Sequence, residues 1–302
     1  MKVTMHDIER HHPDREMPPV SRECAPLYWQ AVESGERIAG QCDVTFVGLC
    51  RNSMPQIQLN TQRLERLGER FKCWRAFIYE NDSADGTAEY LRAWAAGCEQ
   101  ASVETVKHDR PQLSTEKSKR RTDALAEYRS RCQEWAREHA PHDGNHRIIV
   151  IDFDTWGGWS DEGVLTGLHW LEELPGAAGM ASLSTIEMAI GAHPLGKLRI
   201  HYDAWAFRFN HWAEHDMSWF PHWYPPVGST PIAVNSAFGG LAIYRPEAYF
   251  AGTYSGGDCE HVHFHRTIHE ATTMRMWFNP SQRMVMNWIV SEPSDEGHHG
   301  DH

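Results

Sequence analysis

The segment Arg147-Ile-Ile-Val-Ile-Asp-Phe-Asp154 constrains the fold of this chain more than any other. Its four consecutive β-branched residues suit a strand buried on both faces, and the run is too short for a helix. An earlier run, Val44-Thr-Phe-Val-Gly-Leu-Cys50, reads as the first core strand. Between the two, Ile57, Leu64, Leu67 and Phe71 recur among Arg and Glu as on a surface helix. Lys72 to Tyr79 predicts a second strand, which runs into the polar loop Glu80-Asn-Asp-Ser-Ala-Asp-Gly-Thr87. Asp85, Gly86 or Thr87 caps a helix over 88–97. Ser118 to Ala140 reads as a long charged helix with Leu125, Tyr128, Cys132 and Trp135 roughly on one face. This alternation predicts an α/β fold with a doubly wound, mostly parallel sheet.

In an extended strand, Asp152 and Asp154 point to the same side while Phe153 faces the core. They sit where the strand ends, the edge at which open α/β sheets gather their ligands. Two hard oxygen ligands suit Mn²⁺ or Mg²⁺, which bridges the phosphates of a nucleotide diphosphate. An isolated Asp-x-Asp is common and also serves as a helix-capping pair, so its placement carries the weight. Glu80 and Asp82 also follow a strand and offer acceptors to a base or ribose, whereas Ser83, Asp85 and Gly86 are explained by a turn and helix cap. Arg51, just past the first core strand, and Arg121, which ends Lys117-Ser-Lys-Arg-Arg121, are candidate donor-binding cations; a solvated helix start also explains the latter run. Asn235-Ser-Ala-Phe-Gly-Gly240 puts Gly239 and Gly240 where backbone must approach a ligand closely, or in a β-bulge. Gly256 to Arg266 gathers Asp258, Glu260, His261, His263, His265 and Arg266 in one segment. Such a cluster offers a general base, a metal ligand and a positive charge, against the alternative of a His-rich polar helix start.

The 302 residues, 41% hydrophobic and 23% charged, bound the chain as globular. They divide into an arm or cap over 1–40, a catalytic domain over 41–290 and a frayed tail over 291–302. Within the domain, 41–155 forms the nucleotide-binding half and 156–290 the acceptor-side half. Trp205, Trp212, Trp219 and Trp223, interleaved with Pro221, Pro225 and Pro226, read as an irregular loop forming one wall of a cleft. Val234 to Tyr244 then returns to the sheet. Most of the 13 Trp are expected in the core. A net charge of −12 excludes a nucleic-acid partner and requires a local positive spot or a metal for any phosphorylated ligand. The seven cysteines never fall at C-x-x-C spacing and read as free thiols of a cytoplasmic protein. No apolar run is long enough for a signal peptide or membrane span, which leaves at most peripheral membrane association.

Taken in order, Tyr79 to Thr87, Arg121 to Arg129, Val150 to Asp154, the Gly-Gly segment and Cys259 to Arg266 resemble the GT-A fold glycosyltransferases. Within that fold the chain is similar to the capsule-associated mannosyltransferase group, over roughly residues 43 to 270. The resemblance implies a nucleotide-sugar donor, GDP-mannose-like or a UDP-sugar, and a glycan or other hydroxyl acceptor. It implies Asp154 as the direct metal ligand, Asp152 nearer the ribose or the metal waters, and Glu80 and Asp82 at the base and ribose. Gly239 and Gly240 would border the donor sugar, and Glu260 or Asp258 would face the acceptor as base if configuration inverts. His263 or His265 would complete the metal shell. Two alternatives stand beside this reading. A sugar-nucleotide nucleotidyltransferase shares the sheet and the acids but needs a Gly-rich basic loop, which Leu49 to Pro55 does not provide. A non-catalytic carbohydrate- or metal-binding module would use the His cluster and the Trp-rich wall.

Overall fold

The computed structural model describes residues 12–113, 116–140, 145–189 and 196–287. The tail over 291–302 and the first eleven residues of the arm lie outside the described residues. The described chain forms one ten-stranded sheet. Its first half consists of β1 (Asp43–Cys50), β2 (Cys73–Asn81), β3 (Ala101–Val106) and β4 (His146–Asp152). These four pair in the order β3-β2-β1-β4, all parallel. Helices α1 (Ala25–Ala39), α2 (Gln56–Gly68), α3 (Thr87–Gly97) and α4 (Lys119–His139) alternate with these strands or precede them. β1 is buried at six of its eight positions, as its two-sided apolar pattern requires.

Beyond β4 the sheet is mixed. β5 (Gly158–Trp159), α5 (Asp161–Glu173), β6 (Ala177–Ala189), β7 (Lys197–His201), β8 (Ile232–Val234), β9 (Leu241–Tyr244), α6 (Pro246–Ala251), α7 (Glu260–Thr272) and β10 (Arg275–Asn287) complete the order. β9 lies antiparallel between β4 and β6, so the segment expected to rejoin the sheet does so at its centre. β6 pairs with β10 in parallel and with β7 as an antiparallel ribbon.

Local sequence sets the helix starts. The Ser118 hydroxyl accepts the Arg121 N–H at the head of α4, and Ser160 accepts the Gly163 N–H at the head of α5, where Asp161 and Glu162 face the positive end of the helix dipole. At α3, Gly86 takes φ +94° and the Asp85 carboxylate accepts from the Thr87 N–H and hydroxyl. The loop 80–87 is thereby a closed turn, laced to the end of β1 by Asn52 and Ser83.

Two apolar clusters form the core, one including Val47, Val150, Trp135 and Phe264, the other Phe46, Ile151, Phe153 and Leu165. Trp159 and Trp135 are buried, whereas Trp29 and Trp219 are among the exposed large apolar side chains. Within the segment read as an arm or cap, α1 packs on α5: a Cβ on Gly35 would lie 2.0 Å from the Leu165 carbonyl oxygen. Gly35→Leu is therefore expected to force α1 and α5 apart and to lower unfolding free energy by about 1–3 kcal/mol or more. Urea denaturation checks this; unchanged stability would show that the helix is dispensable to the core.

Candidate functional site

Strand β4 ends at Asp152, and Phe153 and Asp154 already belong to a turn. The two carboxylates expected side by side on an extended strand are consequently sent to different surroundings. Phe153 is fully buried, edge-on to Trp159 at 6.3 Å. The turn is pinned by Asn60 of α2, whose Nδ2 donates to the Phe153 carbonyl at 2.9 Å and to the Thr155 carbonyl at 2.7 Å. Arg63 in turn donates to Asn60 Oδ1 at 2.9 Å. This buried chain of donors holds the backbone on both sides of Asp154 and leaves its side chain outward.

A cleft of about 1370 Å³ opens across the C-terminal ends of β1, β2 and β4. Arg51, Arg121, Asp152, Asp154, Gly240 and Glu260 from the expected set line it, joined by Asn81, Tyr128, Arg129, Trp156, Tyr202, Asp203, Trp205, Phe238 and His261. Arg129 organises the floor. Its Nη2 donates to Asp152 Oδ1 at 2.9 Å, its Nε donates to Glu260 Oε1 at 3.1 Å, and its guanidinium lies 4.8 Å above the Phe238 ring. Burial alone would favour the neutral form of Arg129, but Asp152 and Glu260 hold its guanidinium well above the ordinary value.

Asp154 has no such partner: among the described residues no other side chain hydrogen-bonds or ion-pairs its carboxylate. Although it is open to the cleft, crowding by surrounding protein and then by Asp152 pushes its carboxyl up to about 7. The charges on Arg129 and Arg121 work in the opposite direction. Asp203, half-buried across the cleft, is likewise pushed up to about 7 by burial, with Glu260 and Asp152 adding to it, against the Gly239 N–H that its Oδ2 accepts at 2.8 Å. Arg121 rests over the Trp205 ring at 5.1 Å. Lys117, Lys119, Arg120 and Arg110 extend a basic rim beside it. That rim is the local positive region a phosphorylated ligand needs in a chain of charge −12.

Several expected site residues lie elsewhere. Glu80 is buried and accepts the Ser83 N–H at 2.9 Å, so it closes the turn that follows β2. Asp82, at φ +54°, accepts the N–H groups of His108 and Asp109 at 2.7 and 2.8 Å and shapes the loop after β3. Neither lines the cleft. Arg51 is partly spent on the same loop, donating to the Arg110 carbonyl at 2.7 Å. Gly239, at φ +67°, approaches the Ser182 carbonyl so closely that a Cβ would lie 2.1 Å from it; Gly240, at φ +80°, is the one that lines the cleft, with Met286 2.8 Å from where its Cβ would stand. Asp258 is clamped by Arg208 at 3.0 and 3.3 Å and accepts the Cys259 N–H, which removes it from the acceptor side.

The histidines expected in a metal shell do not gather at Asp154. His265 is buried with Nδ1 on Ser236 at 2.8 Å and Nε2 on Tyr244 at 2.9 Å, so both nitrogens are committed. His263 occupies another face of α7 and does not line the cleft. His261 does line it, stacked on Phe238 at 3.7 Å. Burial, then the nearby Arg129 and His265, hold its imidazole well below the ordinary value, so it is neutral. Among the described residues no three His, Cys, Asp or Glu side chains converge as a metal-holding group. A divalent cation would fit here in the manner of Mg²⁺, on one or two carboxylates with its other positions left to phosphate and water. The unpaired, charge-crowded Asp154 suits that role.

Among the described residues no helix is long and apolar enough to cross a membrane. All seven cysteines are free.

Replacing Arg129 by Met leaves Asp152 and the buried Glu260 without their cation, so unfolding free energy should fall by about 3–5 kcal/mol. Adding Glu260→Gln in the same chain should restore part of that loss. Thermal and urea denaturation of the single and double variants check the pair; additive losses would show that the contact is energetically idle.

No protein-family model and no curated protein matches the chain. Solved structures do. GalNAc-T7 with UDP, GalNAc and Mn²⁺ matches at TM-score 0.50 and 10% identity, over 92% of this chain and 55% of that one. A mannosyltransferase from Pyrobaculum calidifontis in complex with GDP-Man and Mn²⁺ matches at TM-score 0.44 and 13% identity, over 91% and 67%. S. aureus TarS matches at TM-score 0.45 and 9% identity, over 80% and 60%. The chain thus spans between 55% and 67% of the length of these three proteins. The central sheet flanked by helices, with its cleft at the strand ends, is a GT-A type glycosyltransferase fold.

Proposed function

We propose that the chain transfers a sugar from a nucleoside-diphosphate donor, GDP-mannose-like or a UDP-sugar, to a hydroxyl of a glycan or related acceptor, with Mn²⁺ or Mg²⁺ at Asp154. The observation that carries this reading is the Asp154 carboxylate itself. Among the described residues no side chain ion-pairs with it, its turn is pinned by Asn60, and it stands at the strand-end edge where α/β sheets take their ligands. The GT-A fold, shared with a protein solved with UDP, GalNAc and Mn²⁺, supports the donor class.

A divalent cation bound there supplies a Lewis acid for the charge that develops on the leaving diphosphate. The chain's own residues do the rest. Arg121, braced on Trp205, and the rim lysines and arginines draw the phosphates in and orient them. Asp152, held by Arg129, keeps one fixed acceptor edge for the ribose or the metal waters. Gly240, at φ +80° and packed against Met284 and Met286, brings bare backbone to the cleft where the donor sugar would lie.

Asp154→Ala is expected to reduce donor turnover roughly a hundredfold or more without lowering stability, because a carboxyl pushed up to about 7 opposes folding when ionised. Hydrolysis of a nucleotide-sugar panel with Mn²⁺ measures the first and thermal denaturation the second; full activity would remove Asp154 from the metal. Because protons compete for a carboxyl pushed up to about 7, Mn²⁺ affinity should rise as pH increases through neutrality. Calorimetric titration between pH 6 and pH 8, set roughly one unit either side of that value, tests the slope. Flat affinity over this range would place the metal elsewhere.

A further inference from the structure

Four acids stand at the floor of the cleft, and three are accounted for: Asp152 and Glu260 share Arg129, and Asp154 is the carboxylate assigned above to a divalent cation. Asp258, the other acid of the late cluster, is clamped by Arg208. The remaining floor acid is Asp203, just past β7. Its Oδ2 is fixed by the Gly239 N–H at 2.8 Å, while no side chain among the described residues hydrogen-bonds or ion-pairs Oδ1. Its backbone lies at φ +74°, a conformation that is rare for residues other than glycine and is tolerated best by Asn and Asp. The Ala206 N–H closes a turn onto the Asp203 carbonyl at 3.2 Å. The carboxylate is thus preorganised from two directions, as a group that must meet a reacting atom requires.

We propose that Asp203 is the general base that activates the acceptor hydroxyl. This rests on the transferase reading above. In the step, the acceptor oxygen forms a bond to the anomeric carbon, and its proton passes to Oδ1 of Asp203. The bond from that carbon to the donor phosphate oxygen breaks, and the electron pair leaves with the nucleoside diphosphate. Attack opposite the leaving group inverts the anomeric configuration. The elevated acidity range of the Asp203 carboxyl, set by burial and by Glu260 and Asp152, matches a base that works near neutral pH.

Asp203→Asn separates catalysis from structure. Asparagine keeps an oxygen for the Gly239 N–H and tolerates the left-handed backbone, but it cannot take a proton. The full-length chain is assayed with Mn²⁺ and a nucleotide-sugar panel, together with binding of the matching nucleoside diphosphate and the anomeric configuration of the product by NMR. The expected result is a fall in kcat of roughly 10²- to 10⁴-fold, unchanged nucleoside diphosphate affinity and an unchanged melting temperature, with an inverted product. Wild-type kcat in Asp203→Asn would overturn the assignment. A retained configuration in the wild-type product overturns it as well, whatever the stability of the variant. Failure of the wild-type chain to consume any donor sinks the transferase reading itself, and the base with it.

Discussion

One guanidinium holds the cleft together. Arg129 stands on α4, yet its partners are Asp152 at the end of β4 and Glu260 at the start of α7, with Phe238 beneath. Three charges removed from water are costly, and a single ion pair seldom offsets that cost. Two carboxylates and an aromatic face around one planar cation give it directional partners on three sides. The result fixes the distance between a strand end and a helix start that are more than a hundred residues apart in the chain. It also leaves a charge imbalance: Asp152, Asp154, Asp203 and Glu260 face a single buried arginine. On the transferase reading, a divalent cation would complement that excess, and the basic rim would complement the phosphates arriving with it.

The same logic assigns each acid by its neighbours. Asp152 and Asp154 are two residues apart, but the strand ends between them. One enters an ion pair and the other does not. Asp258 and Glu260 sit at the head of one helix, yet Asp258 is consumed by Arg208, which also binds the carbonyls of Trp205, Phe207 and Trp212 and so staples the aromatic segment to α7. The acid's work is to hold a loop. His265, between Ser236 and Tyr244, does the same for β9 and the segment that leads into it.

These differences explain what the sequence makes legible. Strands β1 and β4 are written in runs of β-branched and apolar residues, a local signal that survives without knowledge of the fold. The acids at the end of β4 can be found because their position relative to that strand is local too. Arg129 is one of many charges on a charged helix, and nothing nearby reveals its partners. Asp203 is a single acid in an irregular aromatic stretch, visible only once Gly239 and the cleft are placed around it. The His-rich segment misleads in the opposite direction. On a helix, His261 and His265 share a face, but it is the buried face, where one ring packs on Phe238 and the other satisfies two hydroxyls. Clustering in sequence suggests a metal shell, but His265 has both nitrogens committed and His263 does not line the cleft.

The two walls of the cleft are built by different means, and this bears on how its specificity is set. The donor wall comes from regular parallel β/α units, whose strand ends repeat at fixed spacing and whose helices begin with ordinary caps. The opposite wall combines the β6–β7 ribbon, through Ile186, Met188 and Ile200, with Tyr202 to Trp205 and Pro221 of the irregular stretch, whereas Trp212, Trp219 and Trp223, expected in that wall, do not line the cleft. The stretch is tied down by Arg208, by the Gly239–Asp203 hydrogen bond and by packing of His201 on Phe220 at 4.0 Å. A loop fixed at a few points can change its side chains between those points without disturbing the sheet. On the transferase reading, recognition of the nucleotide is therefore bound to the fold, whereas recognition of the acceptor falls to Tyr202 to Trp205 and the ribbon beside them. Asp203 lies at the junction, anchored to the sheet through Gly239 and facing whatever that segment admits.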